Sequence, residues 1–567
     1  MEGIGRHGRL RAGAAFVAAG VTALAMTLSA VATAGATTKS HLVAKSASSS
    51  VVNVAMDETF AGFNVLTSAD NNFDLAQIIE NVWPETFITT NKLALVVNTD
   101  LLTSVKQTST KPQTIVYQIN PNAKWSDGVP ITVADFIYNW QAQSGLKKYT
   151  DIGGKPYDDA STGGYSQIKS VTGHGKYVKV VFSSPFADWK SLFGPMVPAH
   201  IAKRVGWNTG FNTLSNVISG SWYKIQSYKT NQFLVLKRNP KYWGVNPALS
   251  TVDFTWVSTD DSMPTGLKNG ELSVINPASV TQSLVAQANA VKNTVHKTVP
   301  GLEFEHFDFN QVNPYLAKVQ IRQAVAYGTD RKQIIADTVG SIAPATQPLG
   351  NRMLMPNQPG YVNNGTAYTN VNDAKARSLL AGLGFKLVNG YYQPNYGPET
   401  GQPLTLTISS TTGNALRSET EQLFQAQMAK VGIKINIQNY DAATFFGTNL
   451  PTGQFDIAEF AWVATPFLSG NQSIYCSYNL GTVCGSNYDH YASAAVTALV
   501  AAGSAAIHPR SEIIDYNRAD AVLWNDMVTL PLYQRPQYFA WSNKYTNLLP
   551  NPSSVGITWN LNQWTHK

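Results

Sequence analysis

A chain of 567 residues, 44% hydrophobic and only 14% charged, is too long for one compact core and too apolar for a disordered chain. The formal charge is +7, but the first 36 residues hold +2 of it (Arg6, Arg9 and Arg11 against Glu2), and +5 over the remaining 531 is too dilute to track phosphates. Nucleic acid is thereby removed as a partner, while an aromatic share of 11% fits a large folded body with aromatic-lined surfaces.

Arg6, Arg9 and Arg11 precede an uncharged apolar run from Ala12 to Ala34, closed by the small residues Ala34-Gly35-Ala36. These are the three regions of a secretory signal peptide over residues 1–36, with cleavage expected after Ala36. The competing reading is an uncleaved anchor, since the run could span a bilayer, although Ala, Gly and Thr make it weakly hydrophobic. No cysteine follows the leader to carry a lipid, and residues 37–50, rich in Ser, Thr and Ala, read as a flexible linker. The expected location is secreted and extracytoplasmic.

From Thr114 to Ile119, the residues Ile115, Tyr117 and Ile119 share one face, the pattern of a half-buried strand. Trp125-Ser126-Asp127-Gly128 then turns the chain. Thr132 followed three residues later by Asp135 predicts a capped helix whose inner stripe is Val133, Phe136, Ile137 and Trp140. The Pro- and Gly-rich stretches 344–365 and 390–401 read as ordered loops, because hydrophobic segments resume at once. Leu404, Leu406 and Ile408 mark a strand, Leu416, Thr420, Leu423, Gln427 and Val431 a helix face ended by Gly432, and Ile433, Ile435 and Ile437 a second strand. Two parallel strands joined by a crossover helix imply an open α/β domain with ligand sites at the carboxyl ends of its strands.

The two cysteines, Cys476 and Cys484, close a nine-residue loop if joined, which suits an oxidising compartment and contributes about 2.5 kcal/mol in the chain-entropy model. Metal binding would need further thiols or clustered histidines, and redox chemistry two intervening residues.

An extracellular hydrolase is the natural rival for a secreted chain of this size, yet its constellations are missing. There is no Gly-x-Ser-x-Gly elbow, no His-Glu-x-x-His, no phosphate-cradling Gly-x-x-x-x-Gly-Lys and no Gly-x-Gly-x-x-Gly. His174, His200, His296, His306, His490 and His508 have no ligand-like spacing. Asp57 with Glu58, Asp260 with Asp261, and Asp489 are carboxylates that read first as solvated turns and caps. No catalytic residue, cofactor or metal is therefore assigned.

Lys124-Trp125-Ser126-Asp127-Gly128-Val129-Pro130 with its capped helix resembles the signature of the family 5 extracellular solute-binding proteins, the peptide- and nickel-type receptors of ABC importers. The likeness continues at Gly220-Ser221-Trp222-Tyr223, at Arg238-Asn239-Pro240-Lys241-Tyr242-Trp243, at Leu267 to Leu272, and at Phe309-Asn310 through Arg322 to Asp330-Arg331, in the family's order. The resemblance implies an α/β, bilobal type II periplasmic-binding-protein fold: two α/β lobes joined by a hinge, with an extra domain inserted in the first lobe. Lobe I would comprise 51–82, 199–300 and 526–567, the inserted domain 83–198, and lobe II 301–525.

By the same resemblance the protein is a monomeric receptor that captures a small ligand, an oligopeptide, in an interlobe cleft and delivers it to an ABC permease. It would meet the membrane only through that permease or an uncleaved leader. The stretch Gln454 to Pro466 matches one cleft wall by position, so Ala461, Trp462, Val463 and Ala464 would contact ligand, with Phe63 and Asn64 opposite and Asn310 near the lobe junction. Packing is the competing role for Trp462 and Phe63. Peptide receptors of the family usually carry an Asp just after that Trp to hold the ligand's amino group. Here Val463-Ala464-Thr465 offers none, which leaves the ligand class open. Phe186 to Lys190 and Met196 to His200 look like the family's actinobacterial branch, which includes lipoproteins of envelope glycolipid assembly. The alternative function is accordingly a cell-envelope regulatory protein that binds a glycolipid precursor or a partner enzyme, with a secreted hydrolase third.

Overall fold

The computed structural model describes residues 51–463, 465–478 and 484–567, so the expected signal peptide at 1–36 and linker at 37–50 lie outside the described residues. The chain enters at β1 (Val52–Met56) and α1 (Phe73–Ile79). It then builds a separate antiparallel sheet from β2 (Leu102–Thr110), β3 (Gln113–Ile119), β4 (Ile168–His174) and β5 (Tyr177–Phe182), with α2 (Val133–Gln143) packed against it. It returns through β6 (Tyr223–Lys229), β7 (Phe233–Arg238), β8 (Thr251–Trp256) and β9 (Val274–Ile275). After crossing in β10 (Thr294–Phe309) it forms β11 (Thr405–Ser409), α3 (Ala415–Val431), β12 (Lys434–Ile437), β13 (Ile457–Val463) and α4 (Pro509–Asn525), and it crosses back in β14 (Thr529–Ser542).

Ten of these strands make one mixed sheet in the order β12-β11-β13-β10-β14-β9-β1-β8-β7-β6. The long strands β10 and β14 pair antiparallel and join its two halves: Thr294–Pro300 lies against Pro536–Ser542 beside β9, and Phe304–Asp308 against Thr529–Gln534 beside β13. Pro300 and Pro536 face each other where the halves meet, and the register shifts before Phe304. Proline gives no N–H to a ladder and a bulge lets a strand bend, so the connection is weakest at that point and serves as the hinge. The segment 526–567 is thus shared, its first residues pairing in the second lobe.

β1 runs parallel to β8 and β9 in one lobe, and β11 parallel to β12 and β13 in the other. Because β9 and β13 are antiparallel to β14 and β10 respectively, the carboxyl ends of both parallel sets point at the hinge. Alternation along β10 sends Phe307 and Phe309 into one core, with Ile408, Phe424 and Ile457, and Phe304 and His306 toward the other, with Phe460, Trp462 and Tyr516.

The local expectations can be followed residue by residue. Ile115, Tyr117 and Ile119 are buried, and Thr132 and Asp135 form a reciprocal capping box at the start of α2. β11, α3 and β12 form the βαβ unit, with Gly432 at φ +96° as its helix stop. Of the expected stripe on α3, Thr420, Gln427 and Val431 are buried and Leu416 and Leu423 only partly so, while Arg417, Glu421, Phe424 and Met428 widen the buried face on one side. Ile437 is exposed because β12 is an edge strand. Cys476 and Cys484 form a disulfide. Among the described residues no helix is long and apolar enough to cross a membrane.

Candidate functional site: the cleft at the hinge

Convergence of strand carboxyl ends makes the hinge the place where an α/β fold of this kind binds ligand. On the first-lobe side, β1 runs into Asp57-Glu58. Asp74, in the first turn of α1, accepts the backbone N–H groups of Asp57 and Glu58 at 2.8 Å each, and Glu58 Oε2 accepts Phe73 N at 2.9 Å. Glu58 thus satisfies an N–H group that the start of α1 leaves free, and Asp74 two in the loop after β1. Asp260, just after β8, accepts Ser279 N at 2.8 Å. Burial, then the neighbouring Asp57, pushes Glu58 up to about 7 and Asp260 up to about 9, and Asp74 is raised by the same causes. The cap reading holds for Glu58 at the start of α1 and Asp261 is exposed, whereas Asp489 is buried and does not fit a solvated turn.

The second-lobe side is charged as well. Glu303 and Glu305 project from one face of β10. Arg535 Nη1 donates to Glu303 at 2.7 Å, its Nε lies 3.5 Å from Glu305, and its Nη2 donates to the carbonyl of Ala278 at 3.3 Å, tying the hinge to the loop after β9. Arg417 sits one turn into α3, where Asn414 accepts its backbone N–H, and it donates to Glu305 through Nε and Nη2 at 3.2 and 3.3 Å and to Thr411 Oγ1 at 3.1 Å. Burial alone would lift Glu305; the two guanidiniums override it and hold the carboxyl below its usual range. Glu459, on the same sheet face, is fully buried, and burial followed by the charge of Glu305 raises its pKa well above the ordinary carboxylate value. The cleft base therefore holds an excess of carboxyls over guanidiniums, an arrangement suited to recognising charge and hydrogen-bond donors.

At the outer side, the segment after β5 touches the second lobe: Ala187 N donates to the Ser504 carbonyl and Ser469 N to Asp188, both at 2.8 Å. Glu512 of α4 lies beside Asp188 and is pushed up to about 8 by burial and by that neighbour.

The residues expected to line the cleft fall in different places. Ala461 and Val463 are opposite Glu305 and Glu303, half-buried at the carboxyl end of β13; Ala464 lies outside the described residues. Trp462 is 2% exposed, stacked between His306 at 6.0 Å and Tyr488 at 5.9 Å, its Nε1 without a partner among the described residues. Phe63 packs edge-on against Tyr228 at 5.1 Å, and Asn64 donates to the Trp207 carbonyl at 2.9 Å. Asn310 spends its amide on the carbonyls of Gly453 and Phe455, at the end of β10 away from the hinge, about 20 Å along the strand from Glu303. Glu303, Glu305, Arg417 and Arg535 escaped the sequence reading. Their signal was the Glu303-x-Glu305 alternation and an arginine three residues after a helix-capping asparagine.

Two α/β lobes on a shared sheet, hinged at paired prolines and enclosing a charged cleft, define a bilobal type II periplasmic-binding-protein fold, whose business is to close on a solute. Residues 96–481 match the model described as bacterial extracellular solute-binding proteins, family 5 Middle, and the chain belongs to that family. It is 28% identical over 482 residues to the oligopeptide-binding protein OppA of Mycobacterium tuberculosis, a match covering 84% of this chain and 78% of that protein. It is 27% identical over 316 residues to the "Probable monoacyl phosphatidylinositol tetramannoside-binding protein LpqW" of the same species, covering 55% of this chain and 47% of that one. Among solved structures, the periplasmic EDTA-binding protein EppA superposes with a TM-score of 0.83 at 26% identity, over 91% of this chain and 96% of that chain.

Proposed function

We propose that this protein is the receptor of an ABC importer, which captures an oligopeptide in the hinge cleft, closes over it and hands it to the permease, acting by binding and not by catalysis. The observation that carries this reading is the match to an oligopeptide-binding protein across 84% of the chain, against 55% for the glycolipid-binding relative. The acid-rich cleft base also favours a ligand that offers amines over an aminopolycarboxylate of the kind named for EppA. In this reading the protein is a monomer held at the cell envelope, with 51–82, 199–300 and most of 526–567 as lobe I, 83–198 inserted and 301–525 as lobe II. The half-buried carboxyl end of β13 at Ala461 and Val463 borders the ligand, while Phe63, Asn64 and Asn310 brace the walls.

Contacts from both lobes favour the closed form, and only that differential affinity shifts the population. The test is native mass spectrometry of protein purified from its host, followed by peptide titration with scattering. Bound peptides and a contraction on adding them are expected. Failure to bind or contract with peptides, together with capture of a glycolipid, would replace the importer reading by the regulatory one.

A further inference from the structure

Between the hinge and the first lobe lies a small recess with room for a group about the size of a water molecule. Phe73, Val280 and Pro536 give it apolar walls, and Glu303, Arg535, Asn276 and Gln537 line the rest. Gln537 is only 9% exposed, yet its Oε1 has no hydrogen-bond partner among the described residues. Asn276 Oδ1 is likewise buried and unpartnered, and since its Nδ2 donates to the Tyr538 carbonyl at 3.3 Å, the atom left over is an acceptor. Arg535, the cation of the lining, has already turned its nitrogens to Glu303, Glu305 and the Ala278 carbonyl. Close by, burial and then neighbouring carboxylates raise the proton affinity of Glu58, Asp74 and Asp260.

A buried acceptor with no donor costs about 1–3 kcal/mol, and crowded carboxyls add their mutual repulsion. One kind of occupant removes both costs: a positively charged group with several N–H donors at the end of an aliphatic stem, only the head entering and the stem lying over the apolar rim. We propose that this recess receives an ammonium group of the cleft ligand, with Asn276, Gln537 and Glu303 as its acceptors. The proposal rests on the peptide reading only for what carries the group, since a free diamine offers the same chemistry. At neutral pH Glu58 and Asp260 retain protons that an arriving cation expels, so binding releases protons and tightens as pH rises toward those two values.

Calorimetric titration of the secreted protein with Ala-Lys-Ala, Ala-norleucine-Ala and cadaverine tests it. The lysine peptide is expected to bind about tenfold or more tightly than the norleucine peptide, since a charge-assisted hydrogen bond contributes about 1.5–3 kcal/mol. Its apparent enthalpy should vary with buffer ionisation enthalpy as protons leave. Gln537→Leu should bring the ratio near unity without lowering the melting temperature. Equal affinity for the two peptides overturns the recess and leaves the peptide site standing. Cadaverine binding that Gln537→Leu abolishes, with neither peptide bound, upholds the recess and overturns the peptide reading. Absence of binding by all three probes overturns the recess.

Discussion

Raising the pH should loosen the outer side of the cleft, because two buried carboxyls meet there. Asp188 and Glu512 are each 8% exposed; Asp188 accepts Ser469 N, and Glu512 Oε1 has no donor among the described residues. One proton shared between them completes the contact, whereas two negative charges oppose it. Tyr516, the other titratable group at this contact, is bonded to Ser504 at 2.9 Å and kept neutral by burial. Burial and Asp188 push Glu512 up to about 8 when the contact is made, against 4.5 when it is open to water. The closed form therefore holds a proton that the open form has lost. Closure is unpenalised below the lower value, weakens by about 1.4 kcal/mol per pH unit between the two, and bears the full cost above the higher. From about pH 6 to about pH 8 the single proton is worth about 2–3 kcal/mol, or about 30- to 100-fold in the closed population. Glu512→Gln keeps the shape, donates an N–H to Asp188 and cannot ionise. Scattering at constant ionic strength should show the natural protein expanding across this window while the variant stays at one radius of gyration. An unchanging radius in the natural protein, or the same curve in the variant, would refute the reasoning.

Three further outcomes follow from packing and charge. Trp462→Ala empties a site closed by His306, Phe460 and Tyr488, and should lower unfolding free energy by about 3–5 kcal/mol in denaturant titration; weakened ligand binding at an unchanged midpoint would assign the indole to the ligand instead. Arg417→Met strips Glu305 of a bidentate partner in a buried site and should cost about 3–5 kcal/mol, most of it recovered when Glu305→Gln is added, as a double-mutant cycle would show. Asp135→Ala removes the acceptor for Thr132 N, Ala199 N and Trp125 Nε1, and a loss of about 2 kcal/mol in thermal unfolding is expected.

What could be read from the sequence is what depends on near neighbours. Thr132 and Asp135 are three residues apart, and the capping box they form is a property of one helical turn; β11, α3 and β12 follow from a change of period from 2 to 3.6 and back, with Gly432 at the break. The first miss within that unit has a definite cause. A hydrophobic stripe assumes that only apolar side chains face inward, but α3 also turns Arg417 inward to Glu305 and Glu421 to Asn439, so polar partners extend its buried face past the stripe. The site extends the same reasoning. Glu303 and Arg535 are 232 residues apart and meet only because β10 and β14 cross together at Pro300 and Pro536. No spacing encodes such a pair, and each of these charges taken alone reads as a solvated surface. Trp462 shows the opposite effect: its place near a cleft wall came from alignment by position, while its contacts come from the alternation of β13, which sends Ala461 and Val463 to the charged face and the indole into the core behind it. A strand at the edge of a binding cleft thus presents its ligand-facing chemistry through every second residue, and the large aromatic that marks the strand in the sequence is the one that turns away.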